Sequence, residues 1–214
     1  MTITIEHPGW LDEGFQVLRP MQRTALARQE REVAADPTLL RQRVAAAGRT
    51  IGRGALPVSQ GVGCPAELVE DLARVRLIAA AGGEDRDGLL RRIYDRGDAS
   101  ERRAVLHVLS FVASPDAGAL RADALRSNDI SLVAAAMGPG CRQQLPAQAW
   151  RHGVLKCLFV GVPLSKVADL GGADAELHRM CLAYAAERRA AGRDLSDDLL
   201  TLTEQTRPAA QEGL

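Results

Sequence analysis

Apolar residues recur along this chain at intervals of three and four, the period of an amphipathic helix, and almost nowhere at intervals of two. The segment 98–113 sets Ala104, Val105, Val108, Leu109 and Val112 on one stripe, and 174–191 does the same with Leu177, Met180, Cys181 and Tyr184. Residues 2–5 (Thr-Ile-Thr-Ile) form one strand-like patch, too short to found a sheet. The spacing predicts helices near 10–18, 21–35, 37–48, 65–81, 84–96 and 98–113. More follow near 115–127, 129–137, 146–160, 163–170, 174–191 and 195–206. Asp36-Pro37, Cys64-Pro65 and Ser114-Pro115 each put proline at a first helical position, where its missing N–H costs nothing. Asp98-Ala-Ser-Glu101 has the spacing of a capping box, and Asp129 and Ser196 read as further N-caps. Gly48, Gly82, Gly97, Gly161 and Gly192 stand where helices should stop. Residues 49–63, rich in glycine, read as one long loop, either a surface linker or a lid.

These elements predict an all-α single domain over 1–206, with a flexible tail over 207–214. Its helix pairs would stack antiparallel, as a HEAT-like α-solenoid or as an orthogonal helical bundle. At 214 residues the chain can bury a substantial core without disulfides or metal. Ala, Leu, Arg and Glu, all good helix formers, dominate it, which agrees with the periodicity.

Charge narrows the function classes. The 27 basic and 27 acidic residues cancel, so the basic stripe that nucleic-acid binding needs is not indicated. No run approaches the roughly 20 apolar residues that span a bilayer, and the N-terminus has no signal-peptide pattern. The cysteines at 64, 141, 157 and 181 are scattered, without metal-ligand spacing, and read as buried thiols of a cytoplasmic protein. No GxGxxG, P-loop, HExxH or nucleophile elbow is present, so no cofactor or metal is expected.

Three segments carry candidate chemistry. In Trp150-Arg-His-Gly-Val-Leu-Lys-Cys-Leu-Phe159, His152 and Lys156 share a helical face inside an apolar stretch. Lys156 must snorkel to water, pair with a carboxylate, or face a cavity where it could grip an anion or act as a base. Only two of the 27 basic residues are lysines, Lys156 and Lys166. In Leu125-Arg-Ser-Asn128-Asp129, Arg126 offers a planar fork and Asn128 both a donor and an acceptor; the structural alternative is a brace and a cap. In Glu187-Arg-Arg-Ala-Ala-Gly-Arg193, Glu187 and Arg188 could contact a ligand or brace a helix end.

Together these segments resemble the EboA domain family from about Asp98 to Leu200. The carriers are Asp98-Ala-Ser-Glu-Arg102, Ala124-Leu-Arg-Ser-Asn128, Trp150 with Val154-Leu-Lys-Cys-Leu-Phe159, and Tyr184-Ala-Ala-Glu-Arg-Arg-Ala-Ala-Gly-Arg193. Asp71-Leu-Ala-Arg-Val75 matches more loosely. Ser127 replaces a usual Thr, and Met137-Gly-Pro-Gly140 replaces a turn that usually carries Asn and Tyr. His152 stands where an amide is usual. The resemblance implies a helical protein linked to making or exporting a small metabolite.

The expected function is a cytoplasmic accessory protein of specialised (secondary) metabolism. It would bind a small polar or anionic intermediate, or a partner enzyme, through Arg126, Asn128, Lys156, Trp150, Glu187 and Arg188. Arg126, Asn128, Lys156 and Glu187 would then converge on one concave face. Two alternatives stand beside it: an isomerase, lyase or cyclase using Lys156 and His152 as acid and base, and a structural protein–protein adaptor. Neither nucleic acid nor membrane insertion is expected, and homo-oligomerisation is left open.

Overall fold

A computed structural model describes residues 8–56, 66–81 and 85–207. Among these residues every regular element is a helix, and a lone antiparallel bridge joins Ala55 to Leu68. The strand-like patch at 2–5, Cys64-Pro65, Gly82, residues 57–63 of the long loop and the tail from 208 lie outside the described residues. The chain divides into two compact units, Met1–Leu120 and Arg121–Leu214.

In the first unit the α-helices are α1 (Gly9–Gln16), α2 (Pro20–Ala35), α3 (Leu40–Thr50), α4 (Val69–Ala80), α5 (Arg86–Arg96) and α6 (Ala99–Val108). Helix α4 is its centre and packs against α1, α2, α3 and α6. Leu72, Ala73, Val75 and Leu77 have no exposed surface, so α4 is covered on nearly every side, as a helix apolar around its circumference must be. The proline and capping signals act largely as read. Asp36 accepts from the Thr38 N–H at the start of the Pro37–Leu39 turn. Asp98 accepts from the N–H groups of Ser100 and Glu101, and Glu101 accepts in return from the Asp98 N–H at 2.8 Å.

Two boundaries differ by several residues: α6, expected to reach 113, ends at Val108, and α4 starts late. The helix expected from 65 begins at Val69, because the preceding backbone is spent on the bridge. The Leu56 N–H donates to Glu67 O at 2.7 Å and the Val69 N–H to Gly54 O at 2.9 Å. Gly54 (φ +128) supplies a turn that a side chain would strain.

Helix α7 (Ala117–Ala124) contains the unit boundary, and α8 (Ile130–Ala136), α9 (Cys141–Gln144), α10 (Ala147–Val160), α11 (Ala175–Ala190) and α12 (Asp197–Gln205) complete the second unit. Its core gathers Val133, Met137, Trp150, Val154, Leu177 and Leu199 around α10. Gly153 permits the close approach of α10 to the end of α8, since a Cβ there would stand 2.5 Å from Met137 Sδ. Asp129 and Ser196 cap α8 and α12 as read. The helix expected over 163–170 is instead two 3-10 turns, Leu164–Lys166 and Leu170–Gly172. Tertiary contacts take the N–H groups it would need: Leu164 donates to Asp198 Oδ2 at 2.9 Å and Ala168 to Met137 O at 2.9 Å. The short α9 was not expected.

The three described cysteines, Cys141, Cys157 and Cys181, are free and buried. Burial pushes their thiols up, to about 11, about 12 and about 11 respectively. They therefore remain neutral core residues at physiological pH rather than nucleophiles.

Arg151 joins α10 to the start of α11 through a fork on Asp174, with Nε and Nη2 at 3.0 and 2.6 Å from its two oxygens. Asp174 also accepts from the Leu177 N–H at 3.0 Å. The Arg151 hydrogen bond, and then the Leu177 N–H, hold the Asp174 carboxyl down at about 2. The folded state thus takes up this proton less readily than the unfolded chain. The pair's contribution is complete above the unfolded value of 3.8 and is lost as pH falls through about 2. Wild type should therefore exceed Asp174→Asn in urea midpoint at about pH 5, with the gap closing by about pH 2. A gap independent of pH would refute the assignment.

Candidate functional site

Lys156 is the polar residue of α10 whose sequence setting most needs explaining. Its stem crosses apolar surface, and its ammonium reaches the loop between α7 and α8, where Nζ donates to Asn128 Oδ1 at 2.7 Å. The ammonium also lies 5.7 Å from the ring centroid of Phe159, which is 62% exposed. This is snorkelling with a neutral hydrogen-bond partner, so no carboxylate among the described residues cancels the charge. Asn128 does not cap α8, because Asp129 does. It is left exposed to hold Lys156, and its amide NH2 remains a donor on the same surface.

The other expected residues divide. Arg126 lies two positions before Asn128, but its exposed guanidinium turns to Asp123 in a tight i,i+3 pair. Such an exposed pair contributes little to stability. His152 is exposed and shares a hydrogen bond with Gln148 at 3.3 Å. Trp150 has no exposed surface, and its indole packs in the core with the Arg142 guanidinium 4.8 Å from the ring centroid. An indole's large apolar area is worth more in that core than on a polar surface, and Trp150 is not a surface ligand contact. Arg188 donates from Nε to Asp194 O at 2.8 Å and stacks near Tyr184, closing the end of α11 as a brace. Glu187 is exposed and has no hydrogen bond or ion pair among the described residues.

The structure therefore brings Asn128 and Lys156 into contact. The contacts of Arg188 lie within α11 and the turn after it. Lys156 and His152 each engage a neutral amide, and among the described residues no hydrogen bond or ion pair joins either to a nucleophile or carboxylate. Among the described residues no group of His, Cys, Asp and Glu is arranged to hold a metal ion.

Sequence reasoning missed two arginine features. Arg121 is fully buried in the second unit, donating to Gln144 Oε1 at 2.6 Å, Ala136 O at 2.7 Å and Pro139 O at 2.7 Å. Its signal was present: Ala117, Leu120, Arg121 and Ala124 fall on one helical stripe, so a cation interrupts an apolar face. The second is a groove in the first unit lined by Arg41, Arg92 and Arg96. Its arginines come from α3 and α5, which are far apart in sequence, and periodicity gives no sign that they meet.

Fold and surface define an all-α protein whose exposed polar chemistry rests on arginine, lysine and amide side chains. The family model for the metabolite traffic protein EboA matches residues 55–204, and the chain belongs to that family. The match extends the resemblance seen over 98–200 through α4, including Asp71-Leu-Ala-Arg-Val75. No curated protein matches the chain, and no solved structure does. Among the described residues no helix is long and apolar enough to cross a membrane.

Proposed function

We propose that this protein is a cytoplasmic accessory protein of specialised metabolism that binds a small anionic intermediate. The surface around Asn128 and Lys156 is its anion contact. The observation that carries this reading is the Lys156 ammonium held at the surface by a neutral amide, with its charge uncompensated and an exposed aromatic ring beside it. An anion arriving there gains a charge-assisted hydrogen bond from Lys156 and a second donor from Asn128. Membership of a family described by metabolite traffic supports the same reading. Exposed Phe159 favours a second reading, in which this surface meets a partner enzyme.

The test compares small molecules retained by the purified full chain with those retained by Lys156→Gln, using mass spectrometry of the released material. An anionic compound carried by wild type and lost from the variant is the expected result. The adaptor alternative predicts otherwise: Arg126→Ala and Lys156→Ala would lower the melting temperature and leave the retained molecules unchanged.

A further inference from the structure

The groove of the first unit has a chemistry of its own. Its wider part encloses about 370 Å³, and a smaller part of about 120 Å³ shares Arg41, Arg92, Ile93 and Arg96 with it. On α5, Leu89, Arg92, Ile93 and Arg96 follow the i, i+3, i+4, i+7 spacing, so one face presents an apolar floor together with two guanidinium groups. Arg41 joins them from the first turn of α3, a position where the helix dipole disfavours a cation. Helix stability therefore gives no reason for an arginine there.

Of the nearby carboxylates, Asp85 is ion-paired, while Glu101 and Asp36 keep their charge and are oriented by neutral donors. Asp85 pairs with Arg92 at 3.0 Å. Glu101 is held by the Asp98 N–H at 2.8 Å, and Asp36 by the hydroxyl and N–H of Thr38 at 2.6 and 3.0 Å. Arg41 and Arg96 have no ion pair or hydrogen bond among the described residues. Arg41, Arg92 and Arg96 line the groove with Asp85 in its wider part and Glu101 in its smaller part, and two of the three arginines have no ion pair among the described residues.

We propose that this groove binds a phosphate monoester carrying a short apolar substituent. A phosphate monoester bears about −1.5 to −2 charges at pH 7 and would give Arg41 and Arg96 the anionic partner that neither has in an ion pair. Its oxygens suit the planar forks of guanidinium groups. The substituent would lie on Leu89 and Ile93. The volume is at the small end of the roughly 300–1,000 Å³ of small-molecule sites, so the ligand is small. The proposal goes beyond the Asn128–Lys156 reading: it assigns the groove a second anionic ligand and leaves the first at Lys156.

Titration calorimetry on the full chain at low salt, with hexyl phosphate as probe, tests it. Wild type should bind hexyl phosphate more tightly than inorganic phosphate and show no binding of 1-hexanol. Arg41→Gln/Arg96→Gln should weaken binding by about tenfold or more, the loss expected for charge-assisted hydrogen bonds. Arg41→Lys/Arg96→Lys, which keeps the charge without the fork, should fall between. Both arginines are exposed, so the melting temperature should stay at the wild-type value. Arg179→Gln, which removes an exposed charge outside both sites, should bind the probe as wild type does.

Undiminished binding by Arg41→Gln/Arg96→Gln, or no binding by wild type, overturns the groove assignment. Loss in Lys156→Gln alone also overturns it, while leaving the Asn128–Lys156 reading standing. Vesicles containing phosphatidic acid present the same phosphate on a lipid. Arginine-dependent capture on them, without binding of hexyl phosphate, would overturn the small-molecule assignment in favour of a headgroup.

Discussion

Replacing Arg121 with methionine is expected to destabilise the second unit by about 3–5 kcal/mol, the range seen when one partner of a buried charged network is removed. The guanidinium has no exposed surface, yet no carboxylate holds it directly. Its partners are Gln144 and the carbonyls of Ala135, Ala136, Gly138 and Pro139, at 2.6–3.4 Å. These carbonyls end α8 and the turn beyond it, where helix geometry leaves acceptors unsatisfied and the macrodipole is negative. That negative end supports the buried cation together with the charge of Asp169, which makes no direct contact with it. Burial lowers the guanidinium to about 10, which still leaves it charged at neutral pH. Methionine fills much of the volume but leaves the carbonyls without donors. Lysine keeps the charge but cannot span acceptors on both sides of the fork, so Arg121→Lys should recover only part of the loss. Urea unfolding followed by Trp150 fluorescence in a Trp10→Phe background measures it. A loss below about 1 kcal/mol would mean that water reaches the carbonyls.

The second large effect belongs to Asp71 in α4. Asp71 is 2% exposed and takes both Arg103, at 2.8 and 2.9 Å, and Arg74, at 3.2 Å. Asp71→Ala would leave two cations crowded at the centre of the first unit, with Arg74 Nε already lacking a hydrogen bond. The expected cost is about 3–5 kcal/mol. A surface pair such as Arg179–Glu176 should contribute little to stability and fade with salt. The Asp71 effect should persist at about 1 M salt, where screening acts within ~3 Å of exposed charges but reaches buried ones poorly. Adding Arg103→Met to Asp71→Ala should return part of the stability, because it removes one of the stranded charges. Equal losses in the single and double variants would show that the network does not couple Asp71 to Arg103.

Both residues show how far local pattern carries. Asp71-Leu-Ala-Arg-Val75 could be matched to the family from sequence, but its role as a charge centre depends on Arg103, which lies 32 positions away. The interruption of the apolar stripe by Arg121 was visible, whereas the carbonyls that receive it come from a different helix. Lys156 was marked as anomalous by its apolar neighbours, and its partner Asn128 was marked separately. Their contact across 28 positions appeared only with the fold. That Trp150 is turned fully into the core was not legible, because a helix with apolar residues on several faces gives no sign of which face is buried.

The sequence by itself determined the elements and the family. Helical periodicity, the Asp98 capping box, the Asp129 and Ser196 caps and the Gly161 stop are local, settled by spacing and by the unsatisfied groups at helix ends. The tertiary structure decided where regular structure yields to long-range hydrogen bonds, as at Val69 and over 163–170, and which charges meet. Backbone hydrogen bonds in a helix span four residues, so a short window of sequence contains them. Ion pairs and grooves are formed by helices far apart in the chain. Arg41 and Arg96 could therefore be read as ordinary surface residues until α3 and α5 brought them to one cavity.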